Sequence, residues 1–293
     1  ARVSFGPLAA ASIWGGMYVV SKWGFAAIPP VTLAFLRVAL GAAALLVVVR
    51  ATKPARSFSG TDRRRFGVLG GWVALTLVTQ FVGTDLTNAS QGSLLTVLTP
   101  VFTLLLGVAV LDEALTARKV GGMALAVAGT LVVLAGQYDL AAVGRGSLLG
   151  VLALFAASFG WAAYTVWGTP LVRAYSALET ATYSTVAAVP IVGVLVPVEF
   201  ALRDAALAGV AVTPAVAGAV GYLGVASTAV AWVLWYSGVE RADASVVAVF
   251  FFAQPVVGAA LGAVALSESL GPTFFAGGAV MAAGVWAVST ARA

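Results

Sequence analysis

The chain has 293 residues, of which 61% are hydrophobic and only 9% are charged. Soluble domains carry about 25% charged residues, and a chain of this size cannot bury so much apolar surface in one soluble core, so the composition excludes an ordinary soluble protein. The absence of Cys and His excludes disulfides, thiolate or imidazole metal sites, and cysteine or histidine catalysis, and we predict no metal site and no cofactor.

Ten apolar stretches of about 20 residues, the length that crosses a bilayer as a helix, follow one another along the chain. The clearest breaks are Pro29-Pro30, the basic stretch from Arg50 to Arg65, and the polar stretch from Asp85 to Asn88. We number the stretches segments one to ten, and they cover residues 5–24, 31–49, 66–84, 89–110, 118–135, 147–168, 178–197, 214–237, 244–266 and 273–290. The sequence therefore predicts an all-α membrane protein with ten transmembrane helices.

The basic residues indicate the orientation of these helices. Ten segments place both termini on one side, and 12 of the 16 Lys and Arg residues lie on that side, against three on the other and Arg37 within segment two. Lys and Arg are enriched in cytoplasmic loops, so both termini are predicted to be cytoplasmic. The net charge of +5 then reflects membrane orientation, and we expect no nucleic-acid partner.

The second half of the sequence repeats the first. At a shift of 155 residues, positions 89–134 and 244–289 share 14 identities in 46 positions. The informative matches are Pro100/Pro255, Gly107/Gly262, Glu113/Glu268, Gly122/Gly277 and Gly129/Gly284. We assign residues 1–137 to the first five-helix repeat and residues 138–293 to the second.

Five segments per repeat force the two halves into opposite orientations. Inverted repeats are typical of secondary transporters, with the substrate bound near the bilayer midplane between the halves. The alternative is that a duplication built a symmetric bundle without a transport role. The architecture favours the transporter by analogy.

Several motifs together resemble the drug/metabolite transporter superfamily, and specifically its EamA-type members. Four of them are Trp14-Gly15-Gly16, Phe35-Leu36-Arg37, Gly160-Trp161-Ala162-Ala163-Tyr164, and Trp235-Tyr236 leading into Ala244-Ser245. The fifth is a pattern that occurs twice: a Pro, an apolar run, Leu-x-Glu and then a Gly-rich helix. The resemblance covers nearly the whole chain. It implies a ten-helix carrier that exports amino acids and other metabolites, and the chain looks most like the aromatic-amino-acid exporters.

Aromatic and polar residues within the segments are the candidates for substrate binding. Trp and Tyr often form belts at the membrane interface, but several here fall in the middle of a segment, where they either line a cavity or pack helices together. Gln is costly to bury, so Gln within a segment is a candidate for reading an amino or carboxylate group. The predicted binding residues are Trp14, Tyr18, Arg37, Gln80, Trp161, Tyr164, Tyr222, Trp232, Trp235 and Gln254.

Arg37 is the one charge well inside a segment. Burying it alone in hydrocarbon would cost at least ~2.5 kcal/mol, so it must face protein or water. It either attracts a substrate carboxylate or donates to carbonyls near a break in another helix, and the sequence leaves both open.

Four repeated positions are predicted to be structural: Pro100, Glu113, Pro255 and Glu268. Each Glu falls at the end of a segment, where a carboxylate can accept hydrogen bonds from free amides and complement a helix dipole. We favour this role over proton transport.

The sequence thus favours a secondary transporter that exports amino acids, preferably aromatic or apolar ones, by alternating access around a central cavity. The alternatives are a membrane-embedded enzyme and a carrier for another neutral solute. No GxxxxGK[ST] loop for ATP is present, and no Asp or Glu lies mid-segment, which favours facilitated or exchange transport. The expected partners are a zwitterionic small molecule and the lipid bilayer of a bacterial inner membrane, with the monomer as the functional unit.

Overall fold

A computed structural model describes residues 5–87, 98–137, 147–203, 213–266 and 271–291. Each of the ten predicted segments contains helix. Segments two, three, four, five, six and ten are the helices Pro30–Thr52, Gly60–Leu86, Leu98–Leu111, Ala117–Gln137, Leu148–Ala174 and Pro272–Ser289. Segments one and seven are each two helices, Gly6–Gly15 with Met17–Gly24 and Ala177–Gly193 with Leu195–Arg203.

Segments eight and nine are helices whose hydrogen-bond pattern changes along their length. Segment eight runs from the α-helix Pro214–Gly221 through a π-helix, Tyr222–Val230, to the α-helix Ala231–Val239. Segment nine runs from the α-helix Ala244–Ala248 through a 3₁₀ turn, Val249–Phe252, to the α-helix Ala253–Leu266. Pro255 explains the change in segment nine, because it has no N–H to offer the carbonyl of Phe251.

The described residues form helices, turns and bends, with no strand among them. Seven helices in these ranges are long and apolar enough to cross a membrane. The prediction of an all-α membrane protein with ten helices in two repeats is confirmed, and the connection between the repeats, residues 138–146, lies outside the described residues.

Two other segments pack closely against segment one where its two helices meet, at Gly15 and Gly16. A Cβ on Gly15 would lie 2.8 Å from Cγ1 of Val257 in segment nine, and a Cβ on Gly16 would lie 3.1 Å from the Tyr222 hydroxyl in segment eight. The glycines therefore let segments eight and nine close around the middle of segment one.

Segments five and ten pack together through the repeated glycines. A Cβ on Gly122 would lie 3.0 Å from the Gly284 carbonyl oxygen, and one on Gly277 would lie 2.6 Å from that of Gly129. The 155-residue shift relates Gly122 to Gly277 and Gly129 to Gly284, yet the contacts join Gly122 to Gly284 and Gly129 to Gly277. Antiparallel equivalent helices related by a two-fold axis produce this crossed pairing, as an inverted repeat requires.

Two further helix contacts are related to each other by the same inverted repeat. Segment two packs on segment eight at Gly41, where a Cβ would lie 2.6 Å from Cγ2 of Thr228. Segment three packs on segment seven at Gly70, where a Cβ would lie 2.6 Å from Cβ of Ala187. The repeat equates two with seven and three with eight, so these are equivalent interfaces.

We expect Gly129→Ala to destabilise the protein, because the added methyl would meet the backbone of Met281 and Gly277. Overpacking of this kind costs about 1–3 kcal/mol. Gly121→Ala is the matched control on the same helix, since a Cβ there has nothing within 4 Å. Thermal unfolding in detergent should show a lower Tm for Gly129→Ala and an unchanged or higher Tm for Gly121→Ala. Equal melting temperatures would refute the close packing of segments five and ten.

Glu113 connects the first half to the second. Asp112, at φ 55°, turns the chain back at the end of segment four, and the Glu113 N–H bonds the Gly107 carbonyl at 3.2 Å. The Glu113 carboxylate then accepts from the backbone N–H groups of Ala244 at 2.7 Å and Ser245 at 3.2 Å, and from the Ser245 hydroxyl. It lies at the N-terminus of segment nine, where free amides and the helix dipole favour an anion.

The geometry of this turn explains why Gly107 and Glu113 occur together. A Cβ on Gly107 would lie 2.9 Å from Oε2 of Glu113. Lys119 is buried beside the carboxylate, with Nζ 3.9 Å from Glu113 Oε2 and 2.8 Å from Asp243 Oδ2. The equivalent position in the second half, Glu268, lies outside the described residues.

Candidate functional site

A cavity lies between the two halves of the bundle, with a volume of about 40 Å³. This volume holds a few water molecules, so the walls must move apart before a larger ligand can enter. Segments one, two, three, four, six, eight and nine each contribute to its wall. The lining residues are Trp14, Met17, Tyr18, Arg37, Thr76, Leu77, Gln80, Thr99, Leu154, Ala157, Ser158, Trp161, Trp232 and Phe251.

Three tryptophans form one wall of the cavity. Trp14 and Trp161 meet edge to face with ring centroids 5.1 Å apart and an interplanar angle of 83°. Trp232 lies 5.4 Å from Trp161, and Phe251 lies 5.5 Å from Trp14. This aromatic wall offers flat, apolar surfaces to a ligand, and its indole N–H groups are its only polar atoms.

Arg37 brings the only charge among the lining residues. Its guanidinium is buried and lies 5.7 Å from the centroid of the Phe81 ring. Nε donates to the Thr228 hydroxyl at 2.8 Å, Nη2 donates to the Ser227 carbonyl at 3.3 Å, and Nη1 lies 2.9 Å from Sδ of Met17. Within the described residues Arg37 makes no ion pair with a carboxylate.

The π-helix of segment eight holds Arg37 in this position. In a π-helix the backbone bonds run from i to i+5, and the Thr228 hydroxyl follows this wider turn by donating to the Leu223 carbonyl at 2.9 Å. The Ser227 carbonyl accepts from Trp14 Nε1 at 2.7 Å as well as from Arg37. The π-helix therefore orients both the cation and one tryptophan of the aromatic wall.

We expect Thr228→Val to weaken the binding of an anionic ligand in the cavity, because valine keeps the branched shape of threonine and removes the hydroxyl that holds Arg37 Nε in place. Hydrogen bonds to charged groups contribute about 1.5–3 kcal/mol, so loss of this orientation should raise the Kd of such a ligand roughly tenfold or more. Thr228→Ser keeps the hydroxyl and should keep the Kd. A Thr228→Val protein with the wild-type Kd would contradict this role.

Tyr18, Thr76 and Gln80 form a neutral polar strip in the lining of the cavity. Gln80 Nε2 donates to the Tyr18 hydroxyl at 3.0 Å, and Thr76 lies one turn before Gln80 on the same face of segment three. These neutral groups can hydrogen-bond a ligand whose anionic end is bound by Arg37.

Six of the ten predicted binding residues line the cavity, namely Trp14, Tyr18, Arg37, Gln80, Trp161 and Trp232. The other four, Tyr164, Tyr222, Trp235 and Gln254, are not among its lining residues.

All four residues make hydrogen bonds within the protein, and Gln254 Oε1 is buried without a partner among the described residues. Tyr164 pairs with the Ser184 hydroxyl at 3.0 Å, and Trp235 Nε1 donates to the Thr165 hydroxyl at 3.1 Å. Tyr222 donates to the Ile13 carbonyl, and Gln254 Nε2 donates to the Trp14 carbonyl at 3.2 Å. They support the wall rather than face the cavity.

The cavity also has lining residues that the sequence analysis did not select, among them Met17, Thr76, Ala157 and Ser158. A helical period would have found them. Residues 14, 17 and 18 lie on one face of segment one, residues 76, 77 and 80 on one face of segment three, and residues 154, 157, 158 and 161 on one face of segment six. On each of these helices, one predicted binding residue and the helical spacing of three or four residues would have identified the other lining residues.

The two halves of the chain match the same family model, the EamA-like transporter family, at residues 3–135 and 148–290. A protein of Archaeoglobus fulgidus named an uncharacterized transporter is 30% identical over 283 residues, which cover 96% of this chain and 94% of the relative. An Escherichia coli protein named a probable amino-acid metabolite efflux pump is 26% identical over 284 residues, covering 94% of this chain and 90% of the relative.

A solved structure has the same fold. It superposes with a TM-score of 0.76 and covers 99% of this chain and 98% of its own, at 21% sequence identity. At this identity the likeness concerns the fold alone.

Proposed function

Because the chain belongs to the EamA-like transporter family, we propose that this membrane transporter exports amino acids, preferably those with aromatic or apolar side chains. The central cavity is the substrate site in this proposal. The amino-acid efflux named for the Escherichia coli relative supports the choice of substrate.

The observation that carries the proposal is Arg37. A buried guanidinium without a carboxylate partner in the described residues stands beside an aromatic wall and a neutral polar strip. The carboxylate of an amino acid supplies the missing anion through charge-assisted hydrogen bonds, and an aromatic or apolar side chain fits against the tryptophans.

The inverted repeat supplies the transport cycle. The two repeats, residues 1–137 and 138–293, exchange conformations, and the cavity between them opens first to one side of the membrane and then to the other. With no acidic residue among the lining residues, we propose a facilitated or exchange mode, with the monomer as the functional unit.

The test is transport by the purified protein in proteoliposomes. Efflux and uptake are measured with a panel of labelled amino acids, with liposomes lacking protein as the blank. We expect aromatic and branched apolar amino acids to move faster than acidic or basic ones. Transport of some other solute and of no amino acid would overturn the proposal.

We further propose that the protein lies in a bacterial inner membrane with both termini in the cytoplasm, because 12 of the 16 basic residues lie on the side of the termini. Reporter fusions test this orientation. A fusion after residue 60 should report the cytoplasm, and one after residue 140 should report the opposite side. A cytoplasmic signal from the second fusion would refute the proposed topology.

A further inference from the structure

Acidic residues are absent from the interiors of the ten segments and from the described lining of the cavity. All 11 Asp and Glu residues lie at the ends of segments or between them, and none lines the cavity. Residues 88–97, which precede the described part of segment four, contain no Asp or Glu either. Among its described lining residues, the central site thus offers one buried cation, Arg37, and no anion.

The neutral donors of the cavity point to the same ligand chemistry. Trp161 Nε1 and Trp232 Nε1 are buried and have no hydrogen-bond partner among the described residues. An unpaired buried donor costs about 1–3 kcal/mol, so a ligand whose acceptor oxygen reaches either indole N–H gains that hydrogen bond in addition to those of Arg37.

An ammonium group meets a different environment in this cavity. With no carboxylate among the lining residues, its contacts are neutral oxygens and the faces of the aromatic rings. Cation–π contact with a ring contributes about 0.5–2 kcal/mol, so an ammonium group can bind here but adds little affinity. The cavity therefore recognises a carboxylate more strongly than an ammonium group.

We infer that the site recognises its substrate by a carboxylate attached to an aromatic or apolar body, and that the α-ammonium group is dispensable. The substrate class then includes monocarboxylates that lack an amino group, such as aryl-substituted propionates, beside the amino acids. This inference rests on the proposed function in that it takes the central cavity as the substrate site.

The test compares three probes that share one phenyl ring: L-phenylalanine, 3-phenylpropionate, which keeps only the carboxylate, and phenethylamine, which keeps only the ammonium. Each is added to the full chain in detergent, where a rise in Tm reports binding without membrane permeation, and to proteoliposomes as an inhibitor of labelled phenylalanine transport. We expect 3-phenylpropionate to bind within about tenfold of L-phenylalanine, and phenethylamine to bind at least about tenfold more weakly.

Trp232→Phe adds a further variant, because it removes the unpaired N–H and keeps a smaller aromatic ring. It should weaken the two carboxylate probes by about tenfold and phenethylamine by less, because the weaker cation–π contact is the smaller loss. Trp286→Phe, which changes a tryptophan exposed on segment ten, should change none of the three.

Phenylalanine transport without binding of 3-phenylpropionate would overturn the inference and leave the proposed function standing. The same holds if phenethylamine binds more tightly than 3-phenylpropionate. Binding of 3-phenylpropionate by a protein that moves no amino acid would support the inference and overturn the proposed function.

Discussion

Arg37→Gln is expected to abolish high-affinity transport while leaving the protein folded. Removing one partner of a buried, hydrogen-bonded charge pair costs about 2–5 kcal/mol, and 2 kcal/mol already weakens binding roughly 30-fold. Glutamine can still donate to the Ser227 carbonyl or the Thr228 hydroxyl, the groups that Arg37 bonds. It also removes a charge that is expensive to hold within a bilayer, so the Tm should not fall.

A loss of affinity without a loss of Tm separates the two roles that the sequence leaves open for Arg37. If Arg37 only bonded the disturbed part of segment eight, the Gln variant would keep its KM. Transport kinetics and thermal unfolding are measured on the same preparations, with Arg64→Gln as control, since Arg64 is exposed at the start of segment three. A variant with reduced Tm and unchanged KM would refute substrate binding by Arg37.

Glu113→Gln is expected to impair folding and insertion more than substrate choice. The carboxylate accepts from two backbone amides and one hydroxyl at the start of segment nine. A Gln side chain has one acceptor oxygen and directs an NH₂ group at the remaining donors. With about 1.5–3 kcal/mol for each hydrogen bond to a charged group, the Tm should fall by roughly 5 °C or more.

Glu240→Gln is the matched control, because Glu240 is exposed and lies just before the same helix. Membrane expression, Tm and the order of preference among amino acids are compared for the two variants. Glu113→Gln should lose expression and Tm and keep the order of preference, and Glu240→Gln should change none of them. A stable, well-inserted Glu113→Gln protein whose transport depends differently on pH would show that Glu113 carries protons.

The repeated glycines and glutamates show which contacts can be predicted from the sequence pattern and which cannot. The matches at Gly122, Gly129, Gly277 and Gly284 indicate close helix packing from their spacing and duplication. The crossed pairing of segments five and ten needs coordinates, because spacing along a helix does not specify which helix lies opposite.

Likewise, Glu113 is recognisable as a helix-capping carboxylate from its place at the end of segment four. Its partner helix, segment nine in the other half, lies 131 residues away in the chain and is brought there by tertiary packing.

The sequence by itself determined the membrane class, the ten segments, the duplication and the one charge well inside a segment, Arg37. These follow from composition and periodicity, since the bilayer imposes segment length and apolarity locally. Only the tertiary structure decided which candidate residues share the cavity and which do not. Trp161 and Tyr164 are three residues apart on one helix, yet Trp161 lines the cavity and Tyr164 bonds Ser184 of segment seven. Both are aromatic and mid-segment, so the difference lies in what each meets across the helix interface, which depends on how several segments converge around Arg37.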